Sequence, residues 1–206
     1  FLLRQPAETM VKNLVASLPL WTFITNAVYA STRSLIERSM ILKKVYIPKT
    51  LLPITDVIVH CYILSYSFIA MYAAYIMFYP SNFSITIFLA PFAAMPLVLS
   101  VIAVGIILAY LTPYIMDIPQ MMMVLLNTIY WGLPIVYPYS MVPHDKKWLF
   151  EINPIFHLIR PMQILVAENR WPDDIIILKA VGVTLALILT MVYVVKKVSR
   201  DVVYYL

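Results

Sequence analysis

Apolar residues fill the chain in long uninterrupted runs, with polar residues gathered between them. No Asp, Glu, Lys or Arg occurs from Val57 to Met116, nor from Ile118 to His144. About 20 predominantly apolar residues suffice to cross a bilayer as a helix, so the first run crosses twice. Apolar length, flanking charge and turn residues together predict five spanning helices. The first runs from about Leu18 towards Arg33. The second runs from Leu51 to Tyr79 and closes at Tyr79-Pro80-Ser81-Asn82, where proline and small polar residues mark a turn. The third extends from Phe83 to Tyr110. The fourth begins at Pro119, a suitable first-turn proline, and reaches Tyr137-Pro138; the fifth covers Ile175 to Val195. The expected fold is an all-α integral membrane protein, a polytopic helix bundle forming one domain over residues 1–206.

The segment from Ser140 to Asp174 breaks this pattern. It is too apolar for a solvated loop, yet its charges and prolines oppose a crossing. It predicts two short interfacial or reentrant helices between the last two spans. In the second, Ile155, Leu158, Ile159, Met162, Leu165 and Val166 recur at three-four spacing, with His157, Arg160 and Gln163 on the other side. That arrangement suits a helix lying on the membrane, bracketed by Trp148 and Trp171 at headgroup level.

Charge adds orientation. Between the first two spans lie Arg33, Arg38, Lys43, Lys44 and Lys49, and after the last come Lys196, Lys197 and Arg200. The positive-inside rule assigns both to the cytoplasm, and the four crossings between them agree. The 80–82 turn and the 140–174 segment then lie outside, and residues 110–117 form a second cytoplasmic turn. An odd number of spans beginning outside implies an earlier span, so the chain is expected to be N-terminally incomplete.

Composition reinforces the class: 63% of the residues are hydrophobic and 12% charged, against about 25% charged in soluble domains. The net charge of +5 is spread over span-flanking positions, which argues for topology rather than nucleic-acid binding. The single cysteine, Cys61, excludes an internal disulfide framework.

The chemistry open to the chain is narrow. Binding of nucleotide phosphates by a glycine-rich loop is excluded, because Gly105, Gly132 and Gly182 are isolated. Asp56, Asp117 and Lys179 lie near span ends, where they read as anchors or caps rather than as a buried ion pathway. Asp56 and His60, one turn apart, suggest a local hydrogen bond. No paired carboxylates for acid-base work and no metal-ligand constellation stand out, and the acidic residues of the outer segment read as a solvated rim. Aromatic residues are more informative. Phe68, Tyr72, Tyr75 and Tyr79 share one helical face over about 16 Å, with Tyr62 and Tyr66 on a neighbouring stripe. Such a column fits ordinary packing, a polar-lined interface or a sugar-stacking channel wall.

Several landmarks, in this order, resemble one family. They are Leu18-Pro19-Leu20-Trp21-Thr22-Phe23, Lys43-Lys44-Val45-Tyr46-Ile47-Pro48, Leu52-Pro53, Pro134-Ile135-Val136-Tyr137-Pro138, and Asn153-Pro154 followed by Arg160. The chain is similar to permease subunits of type-two ABC exporters, most closely those exporting O-antigen, capsule or teichoic acid polysaccharide. It departs from them at Met116-Asp117, where Arg-Asp is usual, and at Ser17, where glycine is frequent. The resemblance implies six spans in all and a homodimer in the bacterial cytoplasmic membrane, bound to ABC ATPase subunits that hold the ATP and Mg. A lipid-linked polysaccharide would pass between the permease halves. It further implies ATPase coupling by Arg38, Lys43, Lys44, Tyr46, Pro48 and Asp117. An outer gate would contain Asn153, Pro154, His157 and Arg160, and Phe68, Tyr72 and Tyr75 would contact sugar. The alternatives are export of a small drug or lipid by the same fold, and a membrane-embedded enzyme acting on lipid-linked sugars.

Overall fold

The computed structural model describes residues 7–79 and 85–198. The expected 80–82 turn, the Phe83 start of the third span and Arg200 lie outside them. Nine α-helices are found among the described residues, and no strand. They are α1 (Ala7–Glu37), α2 (Ser39–Leu42), α3 (Leu51–Phe78), α4 (Ala90–Ala93), α5 (Met95–Leu111), α6 (Ile118–Trp131), α7 (Lys147–Glu151), α8 (Pro154–Val166) and α9 (Asp174–Val198). A 3₁₀ turn, Ile85–Leu89, leads into α4. Proline occupies the first turn of α4, α5, α6 and α8, where its missing N–H leaves no helical bond unmade.

Four helical stretches are long and apolar enough to cross a membrane: Thr9–Glu37, Leu51–Phe78, Thr86–Leu111 and Asp174–Val198. The first helix begins well before Leu18 and continues through Pro19. The expected fourth span is shorter as a helix. With 14 residues, α6 is about 21 Å long, less than the roughly 30 Å hydrocarbon layer. It stops at Gly132, and the chain continues through residues 133–138 as irregular backbone.

The bundle is built around α1, which packs against α3 and α5, with α9 on the far side of α5. Small residues allow the closest approach. A Cβ placed on Gly105 of α5 would lie 2.9 Å from Ser31 Cβ and 2.8 Å from its Oγ, so α1 and α5 meet nearly backbone to backbone. Ser100 and Thr184 hydroxyls pair at 3.0 Å between α5 and α9, and Thr184 also donates to the Pro96 carbonyl. One apolar cluster joins Leu35 near the end of α1 with Leu52 of α3, Ala109 of α5 and Val195 of α9. The basic 38–50 loop, the turn after α5 and the end of α9 therefore share one end of the bundle.

The expectation for α8 is corrected in part. It is enclosed by α1, α4 and α9 rather than laid on the bundle's surface. Phe156, Leu158 and Ile159 are buried, and so is every residue from Pro161 to Val166. Gln163, placed by periodicity on the outward polar side, is only 1% exposed. Its Nε2 donates to Ser17 Oγ at 2.9 Å and to the Pro134 carbonyl at 2.7 Å. From α1, Asn13 Nδ2 reaches the same turn and donates to the carbonyls of Ile135 (2.8 Å), Tyr137 (3.1 Å) and Pro134 (3.3 Å). Two side-chain amides thus satisfy buried backbone that has left the helix.

Two outcomes test this account. Gly105→Ala drives a methyl into Ser31 and is expected to destabilise the protein by about 1–3 kcal/mol, with Ser31→Gly restoring most of the loss. Unfolding of both variants in detergent measures it. Asn13→Leu keeps the side-chain volume but removes both donors from the 134–137 carbonyls, at an expected cost of about 1–3 kcal/mol. Protease nicking within 132–138 should rise in parallel.

Candidate functional site

A groove runs between α1 and α6. Trp21, Thr25, Asn26 and Tyr29 form one wall, and Asn127 with Met122, Met123 and Leu126 forms the other, around a cavity of about 370 Å³. The residues repeat at three-four spacing, so α1 turns Thr22, Asn26, Tyr29 and Arg33 to the same exposed side. The Thr22 and Thr25 hydroxyls donate to backbone carbonyls one turn back. The Asn26 and Asn127 carboxamides have no such partner among the described residues. Trp21 packs on Tyr130 of α6 with centroids 5.7 Å apart, closing the groove towards the 132–138 turn.

Depth gives these residues their meaning. The Thr9–Glu37 stretch has its midpoint at Phe23, so Asn26 lies about 4–5 Å along the axis from the middle of a spanning helix. A carboxamide facing hydrocarbon there, with nothing to bond, costs several kcal/mol. The groove thus sets two carboxamides among apolar side chains, with Asn26 on a helix long enough to cross a membrane. At its basic end Arg33 closes the stripe, with Nε 2.7 Å from Glu37 Oε1 and Nη1 donating to the Tyr29 hydroxyl at 3.0 Å.

The aromatic column lies elsewhere. Phe68 and Tyr75 are buried, and Tyr72 and Tyr79 pack partly against the same core. The Tyr75 hydroxyl donates 2.9 Å to the Val166 carbonyl at the end of α8. Tyr72 packs on Phe88, centroids 5.1 Å apart. Phe68, Tyr72 and Tyr75 thus share a face, and it is turned inward; Tyr62 and Tyr66 are the exposed tyrosines of α3.

The 38–50 loop is the second notable surface. α2 has no buried residue, and Met40, Ile41, Val45 and Tyr46 are exposed, Tyr46 at 99%. Lys43 and Lys44 are exposed among them, and Pro48 precedes the turn into α3. Arg38 does not join this surface. Its Nη1 and Nη2 donate to the Asp56 carboxylate at 2.8 and 2.6 Å, a pairing that holds the guanidinium charged, above its ordinary range. His60 Nδ1–H donates to the Asp56 backbone carbonyl at 2.8 Å, the local bond expected from their spacing. Asp117 is exposed at the start of α6, on the same end of the bundle, and makes no side-chain cap.

The outer-segment residues do come together. Asn153 Oδ1 accepts from the Ile155 N–H and starts α8, with Pro154 as its first residue. His157 Nε2–H donates to the Glu151 carbonyl at 2.7 Å. Arg160 pairs with Glu168 at 2.5 Å and lies 5.0 Å over the Tyr139 ring. Tyr139 OH donates to Glu151 at 3.1 Å, and burial followed by this bond pushes its phenol above its usual range. Phe150 and Phe156 complete an aromatic cluster around Tyr139.

Among the described residues, no three His, Cys, Asp or Glu side chains form a metal-binding group. Gly105 and Gly182 lie inside helices and Gly132 closes α6, so none opens a phosphate-cradling loop. No protein-family model and no curated protein matches the chain. Fold and surface together define a helical membrane protein with four helices fit to cross a bilayer. Sequence reasoning missed Asn26 and Asn127, although two carboxamides within apolar helices are themselves the signal of a surface that avoids lipid.

Solvent reach of the groove is directly measurable. In a Cys61→Ser background, Asn26→Cys and Asn127→Cys should react with a hydrophilic maleimide roughly tenfold faster than Ile69→Cys, which faces outward from α3 into the apolar layer. Equal, slow labelling at all three positions would show that the groove is dry.

Proposed function

We propose that this chain is the permease subunit of an ATP-driven exporter that moves lipid-linked polysaccharide, of O-antigen, capsule or teichoic acid type, across the bacterial cytoplasmic membrane. The observation that carries the reading is the α1–α6 groove, with unpartnered Asn26 and Asn127 carboxamides near mid-membrane depth beside Trp21 and Tyr29. Amides that bond hydroxyls, together with aromatic rings that stack on sugar faces, suit a polyhydroxylated chain better than an apolar one. The family resemblance of the ordered landmarks supports the same conclusion.

In this reading α6 and the 132–138 turn complete a fifth crossing. The basic end is cytoplasmic, as is the C-terminus. Two copies of the chain face each other across the groove, surrounded by membrane lipid. The 38–50 loop offers Lys43, Lys44 and Tyr46 to an ABC ATPase subunit, with Asp117 at a second contact. ATP and Mg belong to that subunit. The outer cluster of Asn153, Pro154, His157 and Arg160 forms the exit gate. Phe68, Tyr72 and Tyr75 support the wall from behind rather than touching sugar.

Deletion of the gene is expected to abolish a surface glycan and to leave its lipid-linked precursor inside the cell. Asn26→Leu with Asn127→Leu should fail to restore it at normal protein level, whereas Tyr62→Leu should restore it. The full-length protein should co-purify with an ATPase, and Lys43→Glu with Lys44→Glu should reduce recovery of that ATPase by roughly tenfold or more, since both charges sit in the contact. Normal surface glycan in the deletion strain would sink the polysaccharide reading in favour of a small drug or lipid. Turnover of a lipid-linked sugar by the purified chain without nucleotide would point to an enzyme.

A further inference from the structure

α3 carries a polar attachment near each end, and both are made by buried side chains. At the basic end, Asp56 holds Arg38 through two hydrogen bonds, and its side chain is 11% exposed. Nineteen residues later Tyr75, 2% exposed, donates its hydroxyl to the Val166 carbonyl. The helical rise separates the two by about 28 Å, most of the hydrocarbon layer.

The first attachment governs the 38–50 loop. α2 has no fully buried residue, and Leu42 packs partly against the cluster of Leu35 and Ala109. A bidentate guanidinium–carboxylate pair fixes angle as well as distance, so Arg38 cannot swing without carrying Asp56 with it. The second attachment is made to a carbonyl in the last turn of α8, one of the groups a helix end leaves without an internal partner. Between Asp56 and Tyr75 the sequence holds neither Gly nor Pro, and α3 is continuous. α8 is also reached through α9, which packs directly against it, and through α1 at Ser17, where Pro19 interrupts the helical bond ladder before that point.

We propose that α3 is a rigid rod that transmits displacement of the 38–50 loop to the outer helix α8, with Asp56 and Tyr75 as its two positioning residues. The source of that displacement, an ATPase acting on the loop, rests on the permease reading. The mechanical link between the two ends does not.

The test uses the full-length chain carrying Cys61→Ser and Trp171→Cys, a reporter placed just beyond α8 where Trp171 is exposed. Asp56→Asn at the opposite end should change the maleimide reaction rate at position 171 by roughly threefold or more. Tyr75→Phe should change it as well, and in that background Asp56→Asn should add nothing. A wild-type rate in Asp56→Asn, or independent effects that multiply in the double variant, would overturn the rod. Should Asp56→Asn fail to fold, Arg38→Gln with Asp56→Asn, which neutralises both partners, serves in its place. With the ATPase bound, nucleotide should alter the rate at 171, and Tyr75→Phe should abolish that response while the ATPase still co-purifies. A response unaffected by Tyr75→Phe overturns the rod; failure of any ATPase to bind overturns the permease reading and leaves the double-variant result standing.

Discussion

Buried backbone that leaves a helix must find its hydrogen bonds in protein, and the architecture follows from how this chain meets that demand. After Gly132 the carbonyls of Pro134, Ile135 and Tyr137 have no helical donor. Asn13 and Gln163 supply the N–H groups, from helices far apart in sequence. Two amides of the wrong length, or on the wrong turn, would leave these carbonyls bare. The constraint fixes the axial position of α1 relative to α8, and it places the end of α6 against both. Gln163 reaches the turn only because α8 is enclosed, so burial of α8 and satisfaction of the turn require each other.

The four long helices are held differently from α6. At Gly105, α1 and α5 approach so closely that little sliding is tolerated, and Ser100 with Thr184 ties α5 to α9. By contrast, α6 buries only Ile118 and Leu126. Its exposed side carries Met121, Val124 and Leu125, which lipid can cover, while Met123 and Asn127 turn into the groove. Tight packing and loose packing thus fall on opposite sides of α1, and the groove lies on the loose side.

Spanning helices were legible in the sequence because hydropathy reports them directly. The start of α3 at Leu51 and the limits of α9 follow from charge and proline. Hydropathy could not see the end of α6, since Leu133, Ile135 and Val136 continue the apolar run after the helix has stopped. Periodicity identified the apolar face of α8, but such a face looks the same whether it meets lipid or protein. Gln163 was misplaced for that reason. The same limit applies to Phe68, Tyr72 and Tyr75: their spacing establishes that they share a face, while which way it points depends on neighbours far along the chain. Arg38 and Asp56 are 18 residues apart and belong to different elements, so no local pattern joins them.

The two ends of the groove have unequal freedom, and this bears on what it can accommodate. Towards the outer segment it is closed by Trp21 on Tyr130, directly above a turn pinned by Asn13 and Gln163. Towards the basic end its walls are Asn26, Tyr29 and Met122, and α6 is held there mainly by Ile118. Methionine favours repacking there, because its unbranched side chain refills a gap that a β-branched residue would leave open. The outer closure of the groove is thus held on both walls, whereas its basic end is bounded by side chains that can repack.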